Sequence, residues 1–78
     1  MSKRLSELEP GDVAVIVRIE DSGAVARRIA DMGLIPGTKV KVVRKAPLGD
    51  PIEFEVRGYN LSLRRNEAEL VIVEVKRS

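Results

Sequence analysis

The sequence predicts a mainly β fold, a small and partly open five-stranded barrel with one short inserted α-helix. Three observations carry this. Apolar and polar residues alternate with period two along most of the chain, which is the signature of strands with one buried face. The alternation breaks once, between Gly23 and Met32, where the period becomes helical. The 78 residues are about half of a typical ~150-residue domain, so 1–78 holds one compact unit, with an ordered core expected over 5–75, and not a two-domain cleft enzyme.

The first strand is expected at Val13 to Ile19, with Val13, Val15, Val17 and Ile19 on one face and Ala14, Ile16 and Arg18 on the other. Val25, Ile29 and Met32 then recur at i, i+4 and i+7, with Arg27, Arg28 and Asp31 facing outward. Asp21 or Ser22 is available as N-cap and Gly33 as C-cap. Pro36-Gly37 turns the chain into a second strand, Thr38 to Arg44, with Val40 and Val42 inward and Lys39 and Lys41 outward. The third strand, Ile52 to Val56, points Ile52, Phe54 and Val56 inward and Glu53 and Glu55 outward. A register that sets Lys41 opposite Glu53 and Lys39 opposite Glu55 also sets Val42 against Ile52 and Val40 against Phe54.

Arg57-Gly58 suits a two-residue hairpin turn, with Gly58 at positive φ, pairing Val56 with Tyr59, Phe54 with Leu61 and Ile52 with Leu63. Tyr59 is expected in the core with its hydroxyl at the rim. After the fourth strand, Tyr59 to Leu63, the polar stretch Arg64 to Glu69 reads as one tight helical turn before a fifth strand, Leu70 to Val75.

The composition excludes much chemistry. With no Cys and no His there is no disulfide, thiolate metal site, cysteine nucleophile or histidine base. Neither the Walker phosphate loop nor a G-x-G-x-x-G run occurs. Glu53 and Glu55 sit opposite lysines on a solvated face, an arrangement that favours their charged form and makes a poor general acid. Glu67 and Glu69 are two oxygen donors where a calcium site wants six to eight, so no metal site, no cofactor and no catalytic residue is assigned, and ferrous iron is not expected to bind tightly.

The 14 Lys and Arg against 12 Asp and Glu give +2. Removing Lys3, Arg4, Lys76 and Arg77 leaves 10 basic against 12 acidic residues, a body of formal charge −2, which is a poor footprint for nucleic acid. The basic ends read as solubilising. The longest apolar run, Val13 to Val17, is far short of the ~20 residues of a membrane span, so no membrane insertion and a cytoplasmic location are expected. With Phe54 and Tyr59 as its aromatic residues and both assigned inward, the barrel lacks a platform for proline-rich peptides or stacked bases.

The segment Ala46-Pro47-Leu48-Gly49-Asp50-Pro51 has no evident structural reason for its sequence. Two prolines stiffen it around an apolar Leu48, a property suited to protein recognition because little entropy is lost on docking. The alternative is that Leu48 folds back to cap the open end of the barrel. Pro47, Leu48, Gly49 and Asp50 are therefore candidate partner-binding residues, with Arg27 and Arg28 on the outer helix face as a second set. Such arginines are either solvated or, more boldly, supplied in trans to a GTPase.

The stretches LSELEPGD (Leu5 to Asp12), ADMGLIPGT (Ala30 to Thr38) and RKAPLGDPIEFEVRGYNLSLRRNEA (Arg44 to Ala68), in this order and spacing, resemble the ferrous iron transport protein A (FeoA) family over nearly the whole chain. The resemblance implies a cytoplasmic Src-homology-3-like β-barrel with an inserted helix, and no catalytic residue. It also implies an accessory or regulatory partner of the membrane ferrous-iron transporter that carries a GTP-binding domain, recruited to the inner face of the membrane. A similar barrel ends the iron-dependent transcriptional repressors, which makes a metal-responsive regulatory module the alternative reading.

Overall fold

The computed structural model describes residues 2–21 and 23–76. The chain runs β1 (Ser2–Arg4), a 3₁₀ turn (Leu5–Glu7), β2 (Val13–Ile19), α1 (Ala24–Asp31), β3 (Lys39–Lys45), β4 (Ile52–Val56), β5 (Tyr59–Leu63), α2 (Arg65–Ala68) and β6 (Val71–Lys76). The strands form one antiparallel six-stranded sheet in the order β1-β6-β2-β3-β4-β5. It is the expected mainly β barrel with an inserted helix. The sheet curls around Phe54, Ile16, Val40, Val42, Ile52 and Leu63, with Leu5, Leu8, Ile29, Leu34 and Ala68 from the helices and loops completing the core. Each of these side chains other than Ala68 contributes roughly 1.5–3 kcal/mol on burial.

The sixth strand is β1, which the sequence reading took for a ragged basic end. Its residues Ser2, Lys3 and Arg4 pair with Glu74, Val73 and Ile72. A short, charged strand of this kind suits a sheet edge, where it discourages pairing with other chains. Arg4 is a structural tie, since its Nη1 donates to Glu20 Oε1 and to the Glu69 carbonyl, each at 2.7 Å.

β2 turns Ala14 and Ile16 into the core and leaves Val13 and Val15 half-buried and Val17 exposed on the outer side. Strict alternation would keep Ile19 with those valines. A register shift between Ile16 and Arg18 breaks the alternation, and Ile19 packs against the core instead.

In α1, Ala26 and Ile29 are buried and Met32 packs against the core, while Val25 is 40% exposed, so the helix is rotated from the expected stripe. Eight residues hold too few apolar positions to fix the rotation, and packing decides it. The N-cap is Gly23, without a side-chain hydrogen bond. Asp21 accepts from the Gly23 N–H at 3.3 Å just before the helix, and the other candidate, Ser22, lies outside the described residues. Gly33 ends the helix as expected, at φ +95° with its N–H donating to the Ala30 carbonyl at 2.9 Å.

The β3–β4 register is displaced by two residues from the expected one: Val40 faces Val56, Lys41 faces Glu55 and Val42 faces Phe54. A bulge between Val42 and Arg44 then brings Arg44 opposite Glu53, with Nε 2.7 Å from Oε1. The β4–β5 hairpin has the expected pairs, Val56 with Tyr59, Phe54 with Leu61 and Ile52 with Leu63. Tyr59, expected in the core, is 50% exposed on the edge strand, its hydroxyl donating to the Met32 carbonyl at 3.4 Å.

Arg57 and Gly58 both have positive φ, +53° and +88°, the geometry of a type I′ turn. Gly58→Val puts a β-branched residue in that region and should cost more than ~1 kcal/mol in urea unfolding. An unchanged midpoint would count against the turn.

The Arg4 guanidinium, by its hydrogen bond and then its charge, holds the Glu20 carboxyl below its ordinary value of 4.5, with Arg18 adding to the effect. A folded-state value below the unfolded one means the contact stabilises fully above the ordinary value and is lost as pH falls through the lower one. Glu20→Gln should therefore lower the melting temperature at neutral pH, with the gap to the native chain closing in acid. A gap independent of pH would show that the charge is not responsible.

Candidate functional site

The β3–β4 connection is built rather than slack. Ala46 N–H donates to the Pro51 carbonyl at 3.0 Å and Gly49 N–H to the Ala46 carbonyl at 2.7 Å. Pro47 and Leu48 thus take the central places of a β-turn, Pro in its preferred first place, and Gly49 follows at φ +81°. Leu48 stands at the tip, 92% exposed. It does not cap the barrel, which removes that alternative. Beside the turn lies a shallow depression of about 370 Å³ lined by Arg44, Pro47, Pro51, Glu53 and Ser62.

Asp50 anchors the far side of the loop, its Oδ1 accepting from the Arg65 N–H at the start of α2 at 3.1 Å. Two positions on from Arg65, Glu67 is 8% exposed. Its Oε1 accepts from the Arg64 N–H at 2.9 Å, and its Oε2 is ion-paired with Arg28 of α1. The loop and the arginine helix, read from the sequence as separate surfaces, are thus both tied to α2. Arg28 is engaged in that brace. Arg27 is exposed, with no ion pair among the described residues.

Sequence reasoning took Glu67 for a spare oxygen donor, and the brace was missed. A signal was present: Arg64-x-x-Glu67 and Arg4-x-x-Glu7 each place a glutamate three residues after the N-cap, where it reaches back to the cap N–H. With Arg in place of Ser or Thr at the cap, the usual form of the motif is hidden. Glu53 has both oxygens occupied, by Arg44 and by the Asn60 amide at 2.8 Å. Among the described residues no three Asp or Glu side chains gather as a metal site, and no helix is long and apolar enough to cross a membrane.

A family model described as the FeoA domain matches residues 3–75. A curated relative from Porphyromonas gingivalis, named a fusion of Fe(2+) transport protein A with the Fe(2+) transporter FeoB, is 49% identical over 72 residues. The match covers 92% of this chain and 8% of that much longer protein. Among solved structures, a FeoA-like protein from Clostridium acetobutylicum superposes with a TM-score of 0.91 at 40% identity, over 99% of this chain and 90% of that one. FeoA from Stenotrophomonas maltophilia, described as an SH3 domain protein and solved with zinc, gives 0.80 at 35% identity, over 95% and 89% of the two chains.

The two neighbouring arginines should separate by stability. Arg28→Ala leaves the buried Glu67 carboxylate without its cation and should cost ~1–3 kcal/mol in urea unfolding. Arg27→Ala should stay within ~0.5 kcal/mol. Equal effects would remove the brace.

Proposed function

Because the chain belongs to the FeoA domain family, we propose that it is an accessory, regulatory module of ferrous iron transport that binds the cytoplasmic part of a membrane ferrous-iron transporter carrying a GTP-binding domain. The observation that carries this is the fusion: in the P. gingivalis relative a homologous segment is joined covalently to a ferrous-iron transporter. A covalent link raises the effective concentration of two parts that act together, and a separate chain must supply the same contact by affinity. The module acts from the cytoplasmic side, recruited to the membrane by its partner, and contributes contacts rather than a catalytic group.

The docking element in this reading is the loop Pro47, Leu48, Gly49 and Asp50, with Arg27 and Arg28 on the adjoining helix as a second contact. An almost fully exposed leucine on a proline-stiffened turn costs little ordering entropy on binding, which suits an anchor entering an apolar pocket. Arg27 is the arginine available for a partner; Arg28 contributes through its tie to Glu67.

Leu48→Asp is the decisive variant. It should leave the melting temperature nearly unchanged, since surface substitutions usually stay within ~0.5 kcal/mol. It should abolish co-purification with the detergent-solubilised ferrous-iron transporter. Retained co-purification of a stable variant would remove the loop from the interface, and failure of the native chain to co-purify would overturn the partner reading.

A further inference from the structure

β2 is apolar on both faces. Ala14 and Ile16 fill the core, and Val13, Val15 and Val17 line the outer side of the sheet, the first two half-buried and the third 41% exposed. Strands apolar on both faces are usually covered on both. The register sets Val13 opposite Lys41, Lys41 opposite Glu55, and Val15 opposite Lys39, and cross-strand partners share a face. Val13, Lys39, Lys41, Glu55 and the Arg57-Gly58 turn line a groove of about 480 Å³, and Val15 stands next to it, opposite Lys39.

Some cations of the molecule are paired and others, Arg27, Arg64 and Arg65 among them, make no ion pair among the described residues; three of the second kind line this groove. Arg4, Arg18, Arg28, Arg44 and Lys45 each pair with a glutamate. Lys39, Lys41 and Arg57 are exposed and make no ion pair among the described residues, with Glu55 as the acid on the groove wall. A body that is acidic outside its termini thus gathers unpaired cations beside its apolar outer stripe. Lys39 and Lys41 are two residues apart on a strand, ~6.5–7 Å, the same interval as alternate side chains of an extended segment.

We propose that this outer face of β2, β3 and β4 docks an extended acidic segment of a protein partner. Carboxylates at alternate positions meet Lys39 and Lys41, Arg57 adds a third contact, and an apolar side chain on the same face of the segment covers Val13 and Val15. The groove lies at the opposite end of the β3–β4 hairpin from Leu48, so the inference goes beyond the loop-based reading and does not rest on it.

The test is an NMR titration of the full chain with a ten-residue peptide carrying Glu, Glu and Leu at successive alternate positions and Ser elsewhere. Saturable shifts centred on Val13, Val15, Lys39, Lys41 and Arg57, weakening with added salt, are expected. Lys39→Glu with Lys41→Glu should raise Kd by about ten-fold or more. Arg57→Asn, which suits a type I′ turn, should weaken binding while keeping the fold, and guards against an unstable double variant. Leu48→Asp should bind the peptide as the native chain does, so the two readings fail separately. Absence of saturable shifts, equal affinity for a peptide with Lys in place of Glu, or equal affinity for a ten-nucleotide oligo-dT would overturn the proposal. Concentration-dependent shifts of the same residues without peptide would assign the face to a second copy and overturn it too.

Discussion

The edge strands β1 and β5 stand at opposite ends of the strand order and are not neighbours, so strand pairing does not close this barrel. The core must be sealed by other elements, and much of the remaining structure follows from that constraint. The 3₁₀ turn brings in Leu5, and α2, packed against it, brings in Ala68, both at 0% exposure. A four-residue helix cannot hold itself together, because nucleation is unfavourable and one turn recovers few hydrogen bonds. α2 is held by side chains around it: Asp50 at its first N–H, Glu67 reaching back to its cap, and Arg28 on the second Glu67 oxygen. The polar network that seals the core therefore also fixes the 46–51 loop at one end and the arginine helix at the other.

That coupling changes how the two candidate surfaces are understood. A buried carboxylate is tolerated when its oxygens are matched, and Glu67 has one donor for each. Loss of Arg28 is therefore a fold perturbation before it is an interface perturbation, and a binding defect in such a variant has two possible origins. Leu48 and Arg27 are free of this ambiguity. Both are exposed, and neither takes part in the ties that close the barrel.

What the sequence made legible, and what it hid, divides along physical lines. The β4–β5 hairpin was readable to the residue because the turn type fixes the register: Arg57-Gly58 admits one geometry, and each pair follows from it. The β3–β4 register was not, because a slip of two residues keeps every side chain on its own face. Alternation cannot distinguish Val42 against Ile52 from Val42 against Phe54, and Lys41 meets a glutamate in either. The bulge at Val43 lets the ladder run on to Lys45 and Ile52, shortening the loop to 46–51. β1 was illegible because three polar residues at an edge carry no periodic signal. The exposed tip at Leu48 was legible as an oddity without its resolution, since stiffness and apolarity suit a cap as well as an anchor.

The same alternation that located β2 carried a second message that the fold alone does not absorb. A strand facing solvent on one side has no packing reason to keep valine at three successive outward positions. The bulge after Ile16 explains why Ile19 leaves that series and joins the core. It does not account for Val13, Val15 and Val17. The β3 partners of Val13 and Val15 are Lys41 and Lys39, which make no ion pair among the described residues, whereas the strand-borne arginines Arg4, Arg18 and Arg44 each pair with a glutamate. An apolar stripe in solvent and unpaired cations are each ordinary alone. Side by side on one face of the sheet they describe the complement of an acidic, partly apolar chain, at the far end of a hairpin whose other end carries Leu48.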